Sequence, residues 1–193
     1  MRSWVATLAA IVACQPAGRI EPGPHPARLH VSFVAATDSF ASAARTYDSL
    51  WASEGPKITA ALERAAKLTF ADIGDTDVTA IVFEGVSNSG FREKPMHLRA
   101  SYPTDTKRAT LMHELGHRLE SNLFRASEDD HSYLFLWLYT AWVAAYGESF
   151  AREQVAVEKR RGGVYPAAWD VALTLSPRDR EARWDSVRAS RMR

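Results

Sequence analysis

The segment Tyr133–Tyr146, which includes Leu134-Phe135-Leu136-Trp137-Leu138, is almost wholly apolar and carries no charged side chain. Crossing a bilayer takes roughly 20 such residues, so this run is too short to span one. A helix that is apolar on every side is a buried helix, so the fold has to enclose it. The chain has the means: 193 residues with 46% apolar and 24% charged is a globular balance. That length suits one domain with tails, and it buries a core without crosslinks. The single cysteine, Cys14, excludes an internal disulfide framework and any zinc ribbon or finger. A formal net charge of +1 speaks against a dedicated nucleic-acid binder, and no nucleic-acid partner is expected.

Around that helix the pattern predicts both strands and helices. His30-Val31-Ser32-Phe33-Val34-Ala35 reads as a first strand. Phe40, Ala43, Ala44, Tyr47 and Trp51 form a helical stripe over 38–52. Gly55-Pro56 punctuates it, and Ile58, Ala61, Leu62, Ala65 and Leu68 predict a second helix after the proline. Val78–Phe83 is β-branched and apolar on both faces, as in a central strand. Met96–Tyr102 alternates, with His97, Arg99 and Ser101 on a solvated face, as in an edge strand. Helices are predicted from about 107 to 123, from 131 after a cap at Ser127–Asp130, and from Ser176-Pro177 onward, with Gly162-Gly163 ending the helical stretch before it.

The chemistry is concentrated in His113-Glu114-Leu115-Gly116-His117. Histidines at i and i+4 of a helix lie one turn apart on the same face, so both rings reach one metal ion. The glutamate after the first histidine stands beside that face, where it meets a metal-bound water without ligating the metal. This spacing is the zinc-peptidase motif, with Zn²⁺ as the cofactor, His113 and His117 as ligands and Glu114 as general base. Leu111, Leu115 and Leu119 give the helix a buried side.

The segment resembles the zincin metallopeptidases. That likeness covers roughly residues 75–160 and implies an α+β domain: a small mixed sheet, the motif helix and further C-terminal helices. It also implies that Met96–Tyr102 is an edge strand that binds substrate in extended form, with His97 and Arg99 contacting the substrate. Arg118 departs from the more restrictive form of the zincin signature, which prefers an uncharged residue there. A catalytic zinc takes a third protein ligand. The metzincin positions for a glycine and a third histidine hold Glu120 and Leu123, which excludes that branch. Tyr146-Gly147-Glu148-Ser149-Phe150-Ala151 resembles the third-ligand segment of lethal-factor-like gluzincins, which implies Glu148 as the ligand. Glu153 and Glu158 compete on the same stretch, but steps of five rotate by about 140°, so they do not share one face with Glu148. His131 is a further candidate, as ligand or as support. A hairpin would place residues near 136–142 opposite the motif, so Glu148 needs a bend at Gly147. Tyr139, Tyr146 and Tyr165 are candidates to stabilise an oxyanion, with Tyr146 favoured for its closeness to Glu148.

The N-terminus supplies an address. Arg2 and the short apolar run Trp4–Ala13 read as a signal peptide over residues 1–13. Ile11-Val12-Ala13-Cys14 resembles a bacterial lipobox, which implies lipidation at Cys14 and attachment to a membrane of the bacterial cell envelope. Residues 14–29, rich in proline and glycine, form a tether, and residues 30–193 form the domain. From Lys159 onward nine basic residues meet four acidic ones, a solvated face or a patch suited to anionic headgroups. The sequence therefore predicts a lipid-anchored zinc peptidase acting on a protein or peptide substrate. The alternatives are a metal-binding lipoprotein without turnover and a partner-binding module that uses the Trp- and Tyr-rich helices.

Overall fold

A computed structural model describes residues 28–90, 94–124 and 131–192. The predicted signal peptide, Cys14, most of the tether and the cap at Ser127–Asp130 lie outside the described residues. The architecture is mixed α+β. Three strands, β1 (His30–Ala35), β2 (Asp77–Phe83) and β3 (Met96–Arg99), form a sheet in the order β1-β2-β3. Seven α-helices occur among the described residues: α1 (Ala41–Ala66), α2 (Phe70–Ile73), α3 (Thr104–Leu119), α4 (His131–Tyr146), α5 (Glu148–Lys159), α6 (Tyr165–Thr174) and α7 (Pro177–Arg191).

The sheet is parallel throughout, not mixed as predicted, with Val31 beside Val78 and Val82 beside Leu98. Parallel neighbours need long crossovers. Helices α1 and α2 lie in the first, and the second is the connection between Phe83 and Met96. Alternate residues Val78, Ala80 and Val82 of β2 are buried with Met96 and Leu98 of β3, which gives the sheet one face turned to the helices. The fully apolar face-to-face reading of β2 is therefore too strong, since Thr79 on the other face is exposed. Strand β3 stops at Arg99, short of the predicted Tyr102. The Ala100 N–H closes the ladder on the Phe83 carbonyl at 2.7 Å, and the Lys107 ammonium takes the carbonyls of Ala100 and Tyr102.

Gly55-Pro56 does not divide α1, which runs unbroken past both residues. Pro56 has no N–H to give the preceding turn and costs about 3 kcal/mol inside a helix. The buried stripe Tyr47, Leu50, Ile58, Leu62 and Ala66 continues on both sides of it, and burying each large apolar side chain returns roughly 1.5–3 kcal/mol.

The apolar segment forms α4, which packs against α1, α3, α5, α6 and α7. Leu134, Phe135, Leu138 and Trp142 have no exposed surface there. Phe135 stacks on Trp169 of α6 at 4.0 Å between ring centres. Helix α3, which carries the motif, is wedged between β3, α1, α4 and α5. Gly116 permits the approach to α4: a Cβ there would stand 2.7 Å from Leu134 Cδ1 and 3.1 Å from Trp137 Cη2.

Candidate metal centre

The i, i+4 spacing on α3 brings His113 Nε2 and His117 Nε2 to 3.1 Å. His131, the first residue of α4, completes a cluster in which one ligand atom from each histidine lies within 4.8 Å of the others. The ring centre of His131 stands 5.3 Å from that of His113 and 4.7 Å from that of His117.

His113 is backed by a carboxylate on its far nitrogen, and a second carboxylate stands near that of His117. Glu158 of α5, 1% exposed, lies with Oε1 2.8 Å from His113 Nδ1 and accepts the Trp169 indole N–H on Oε2, also at 2.8 Å. Burial works against ionisation of Glu158, but His113, Arg161 and Trp169 outweigh it and hold its carboxyl below the usual range. A carboxylate only accepts, so His113 Nδ1 is the donor. Burial pushes the His113 pKa down to about 4, with Glu158 pulling the other way. In the neutral tautomer with the proton on Nδ1, Nε2 presents a lone pair toward His117. Behind His117, Glu120 Oε1 stands 3.6 Å from Nδ1, and Glu120 Oε2 accepts the Trp137 indole N–H at 3.2 Å.

Nitrogens that bind one tetrahedral zinc at about 2.0–2.1 Å stand about 3.3 Å apart. The 3.1 Å pair fits that edge closely. Imidazoles turned by carboxylates on their outer nitrogens are the usual support of zinc-bound histidine. His113, His117 and His131 together could hold a metal ion, their ligand atoms lying within 4.8 Å of one another. Three protein ligands and a free position mark a catalytic zinc, whereas four close a structural one.

The structure does not bring Glu148 to this cluster. Its half-exposed carboxylate accepts from the Tyr139 hydroxyl at 2.7 Å and from Arg152 Nε at 3.0 Å. Helix α4 starts at His131 and rises about 22 Å before Gly147 turns the chain, so Glu148 sits at the far end. Gly147, at φ 89°, does make the expected bend. Helix α5 then folds back, and it is its last turn, with Glu158, that regains the level of His113. Glu153 is held by the Ser149 hydroxyl at 3.0 Å. Tyr146 is also drawn elsewhere: its hydroxyl donates to Glu54 Oε2 at 2.6 Å, on a carboxylate that Arg108 grips as well. Of the three tyrosines, Tyr165 is the one beside the cluster. Its ring lies 4.7 Å from His131 and 5.8 Å from His113, and its pKa is pushed up to about 12 by burial and by the charges of Glu114 and Glu158. Glu114 itself is 3% exposed on α3.

Arg99 and His97 have structural partners. Arg99 Nε donates to the Gly85 carbonyl at 2.8 Å and pairs with Glu84 at 3.1 Å, while His97 packs edge-on against Phe83 at 5.4 Å. The outer edge of β3 is also taken. The His97 N–H and carbonyl pair with Asn88 at 2.8 and 3.0 Å, the Arg99 N–H meets Ser87 Oγ, and the Arg99 carbonyl accepts from the Tyr47 hydroxyl. An extended substrate has no ladder to join at those residues. Arg118, the departure from the zincin signature, is 3% exposed. It grips Asp75 through two bonds of 2.7 Å and reaches the carbonyls of Ser89 and Lys94, which pins the loop before β3 to the motif helix.

Sequence reasoning missed the placement of Glu158 against His113 and of Glu120 near His117. Glu120 was open to discovery as the i+3 partner of His117 on the same helix face. Glu158 depends on where α5 folds back, for which no local signal exists. The chain matches no protein-family model, no curated protein and no solved structure.

Proposed function

We propose that the protein is a zinc-dependent peptidase of zincin type, with His113, His117 and His131 as ligands and Glu114 as general base. The observation that carries this reading is the convergence of three histidines around the motif, with Glu158 behind His113 and Glu120 behind His117. When bound, zinc supplies an acidified water and a polarised scissile carbonyl. Glu114 takes a proton from the attacking water on its carboxylate and hands it to the leaving nitrogen. Tyr165 stays protonated through the neutral range and donates to the oxygen that gains negative charge. The buried core around α4 holds these groups in place before substrate arrives. The proposed setting is the bacterial cell envelope, with anchorage through lipidated Cys14 and a protein or peptide substrate.

The test is a full-length preparation with zinc content and peptide hydrolysis measured together. Glu114→Gln is expected to keep one equivalent of zinc and to lose hydrolysis by about 10²-fold or more. A zinc-loaded parent that cleaves nothing in a broad peptide library overturns the proposal.

A further inference from the structure

Arg161, just beyond α5, is a cation beside the cluster that carries more N–H groups than its hydrogen-bond partners among the described residues, Thr110 and Tyr165, take up. Arg99 is committed to Glu84 and Gly85, Lys107 to two carbonyls, and Arg108 to Glu54 and Asp105. Arg161 carries five N–H groups in a planar fork. One of them reaches Thr110 Oγ1 at 3.0 Å, one turn before Glu114 on α3. Its approach to Glu158 is 3.8 Å, beyond hydrogen-bond range, and Glu158 is already served by His113 and Trp169. The guanidinium lies over the rings of Tyr102 and Tyr165, at 5.4 and 5.8 Å, and its side chain keeps 20% of its surface open. The same Tyr165 ring touches His131 and His113. Arg161 and the metal cluster therefore flank one tyrosine.

Resting on the peptidase reading, we infer that Arg161 receives a carboxylate of the substrate close to the scissile bond. A planar fork with open N–H groups matches a carboxylate through two parallel bonds. A peptide residue spans about 3.5 Å, so an acid one or two residues from the scissile carbonyl lies at the scale of one ring's separation. The carboxylate comes either from the substrate's C-terminus or from an aspartate side chain, and both present the same group.

The test is binding, measured by calorimetry on the zinc-loaded full chain carrying Glu114→Gln to stop turnover. Three probes are titrated: an acetylated tripeptide acid, its C-terminal amide, and an amide ending in aspartate. The acid is expected to bind at least tenfold more tightly than the plain amide. Arg161→Met is expected to bring that ratio to about one, and Arg161→Lys to leave an intermediate value. Tight binding of the acid alone assigns the C-terminus as the source, and tight binding of the aspartate amide as well admits the side chain. Equal binding of acid and amide, or no binding of either, overturns the inference. So does a preference that survives in Arg161→Met, since the metal would then be the receptor. Zinc content and circular dichroism of each variant separate loss of the site from loss of fold. Cleavage of the same peptides by the chain with Glu114 intact keeps the two proposals apart. Cleavage without acid preference overturns only this inference, and acid preference without cleavage overturns only the peptidase reading.

Discussion

Replacing Glu158 by glutamine keeps the shape of the side chain and removes an acceptor. The carboxylate takes two N–H groups, His113 Nδ1–H on one oxygen and Trp169 Nε1–H on the other, each at 2.8 Å. Glutamine offers one carbonyl oxygen and one NH₂, so it serves only one of them. If the oxygen turns to Trp169, the amide NH₂ faces His113 and favours the tautomer with the proton on Nε2, which blocks the nitrogen aimed at the metal. If it turns to His113, a donor faces the buried indole, a mismatch that costs about 1–3 kcal/mol of stability. Outer partners of this kind contribute about 10–100-fold to metal affinity. That range corresponds to roughly 1.4–2.7 kcal/mol. A competition titration of zinc against a chromogenic chelator at neutral pH measures it. The expected order of weakening is His131→Ala beyond Glu158→Gln, with Glu148→Gln and Glu153→Gln within about twofold of the parent. Unchanged affinity in Glu158→Gln together with a loss in Glu148→Gln refutes the assignment of roles.

Gly116→Ala drives a methyl against Leu134 and Trp137. Overpacking costs about 1–3 kcal/mol and alanine's helix preference returns about 1, so urea unfolding should show a net loss of about 1 kcal/mol. Arg118→Met strands Asp75 and two carbonyls, and a loss of about 3 kcal/mol in the same assay is expected, with zinc affinity of the folded protein much less affected. The hydrogen bonds from Arg108 hold the Glu54 carboxyl below the usual range, with Tyr146 assisting and burial opposing. A depressed carboxyl contributes stability that is complete above the ordinary range of about 4 and is lost as pH falls through the folded value. Thermal melts of Glu54→Gln should therefore start lower at pH 7 and fall less steeply than the parent on acidification; parallel curves would contradict this.

What the sequence revealed follows the reach of its patterns. The alternation of Met96–Arg99, the β-branched run of β2 and the apolar continuity of α4 are local, and a strand, a central strand and a buried helix appear there. The helix start at Ser176-Pro177 is local too, and Ser176 accepts the Asp179 N–H as a cap. His113, Glu114 and His117 belong to one turn of one helix, so their grouping needs no knowledge of the rest of the chain. The third histidine of the cluster does not share that advantage. Choosing between Glu148 and His131 requires the direction in which α4 leaves the motif and the place where α5 returns, and both are set by packing among α4, α5 and α6. Pro56 misled for a related reason: a local penalty of a few kcal/mol lost to a buried stripe that extends over the whole of α1. Arg118 looked like a flaw in the motif because its partners, Asp75 and the carbonyls near 89–94, lie far away in sequence.

The closed outer edge of β3 has a consequence for the molecule's behaviour in crowded surroundings. An edge strand with open N–H and carbonyl groups is a template on which another chain can pair, the usual first step toward aggregates. Here the residues 87–88 and the Tyr47 hydroxyl occupy the outward groups of His97 and Arg99. The sheet stops growing on that side because its own loop has filled the next position. A change that loosens this loop, such as loss of the Arg118 grip, would expose a short sticky edge as well as weaken the fold.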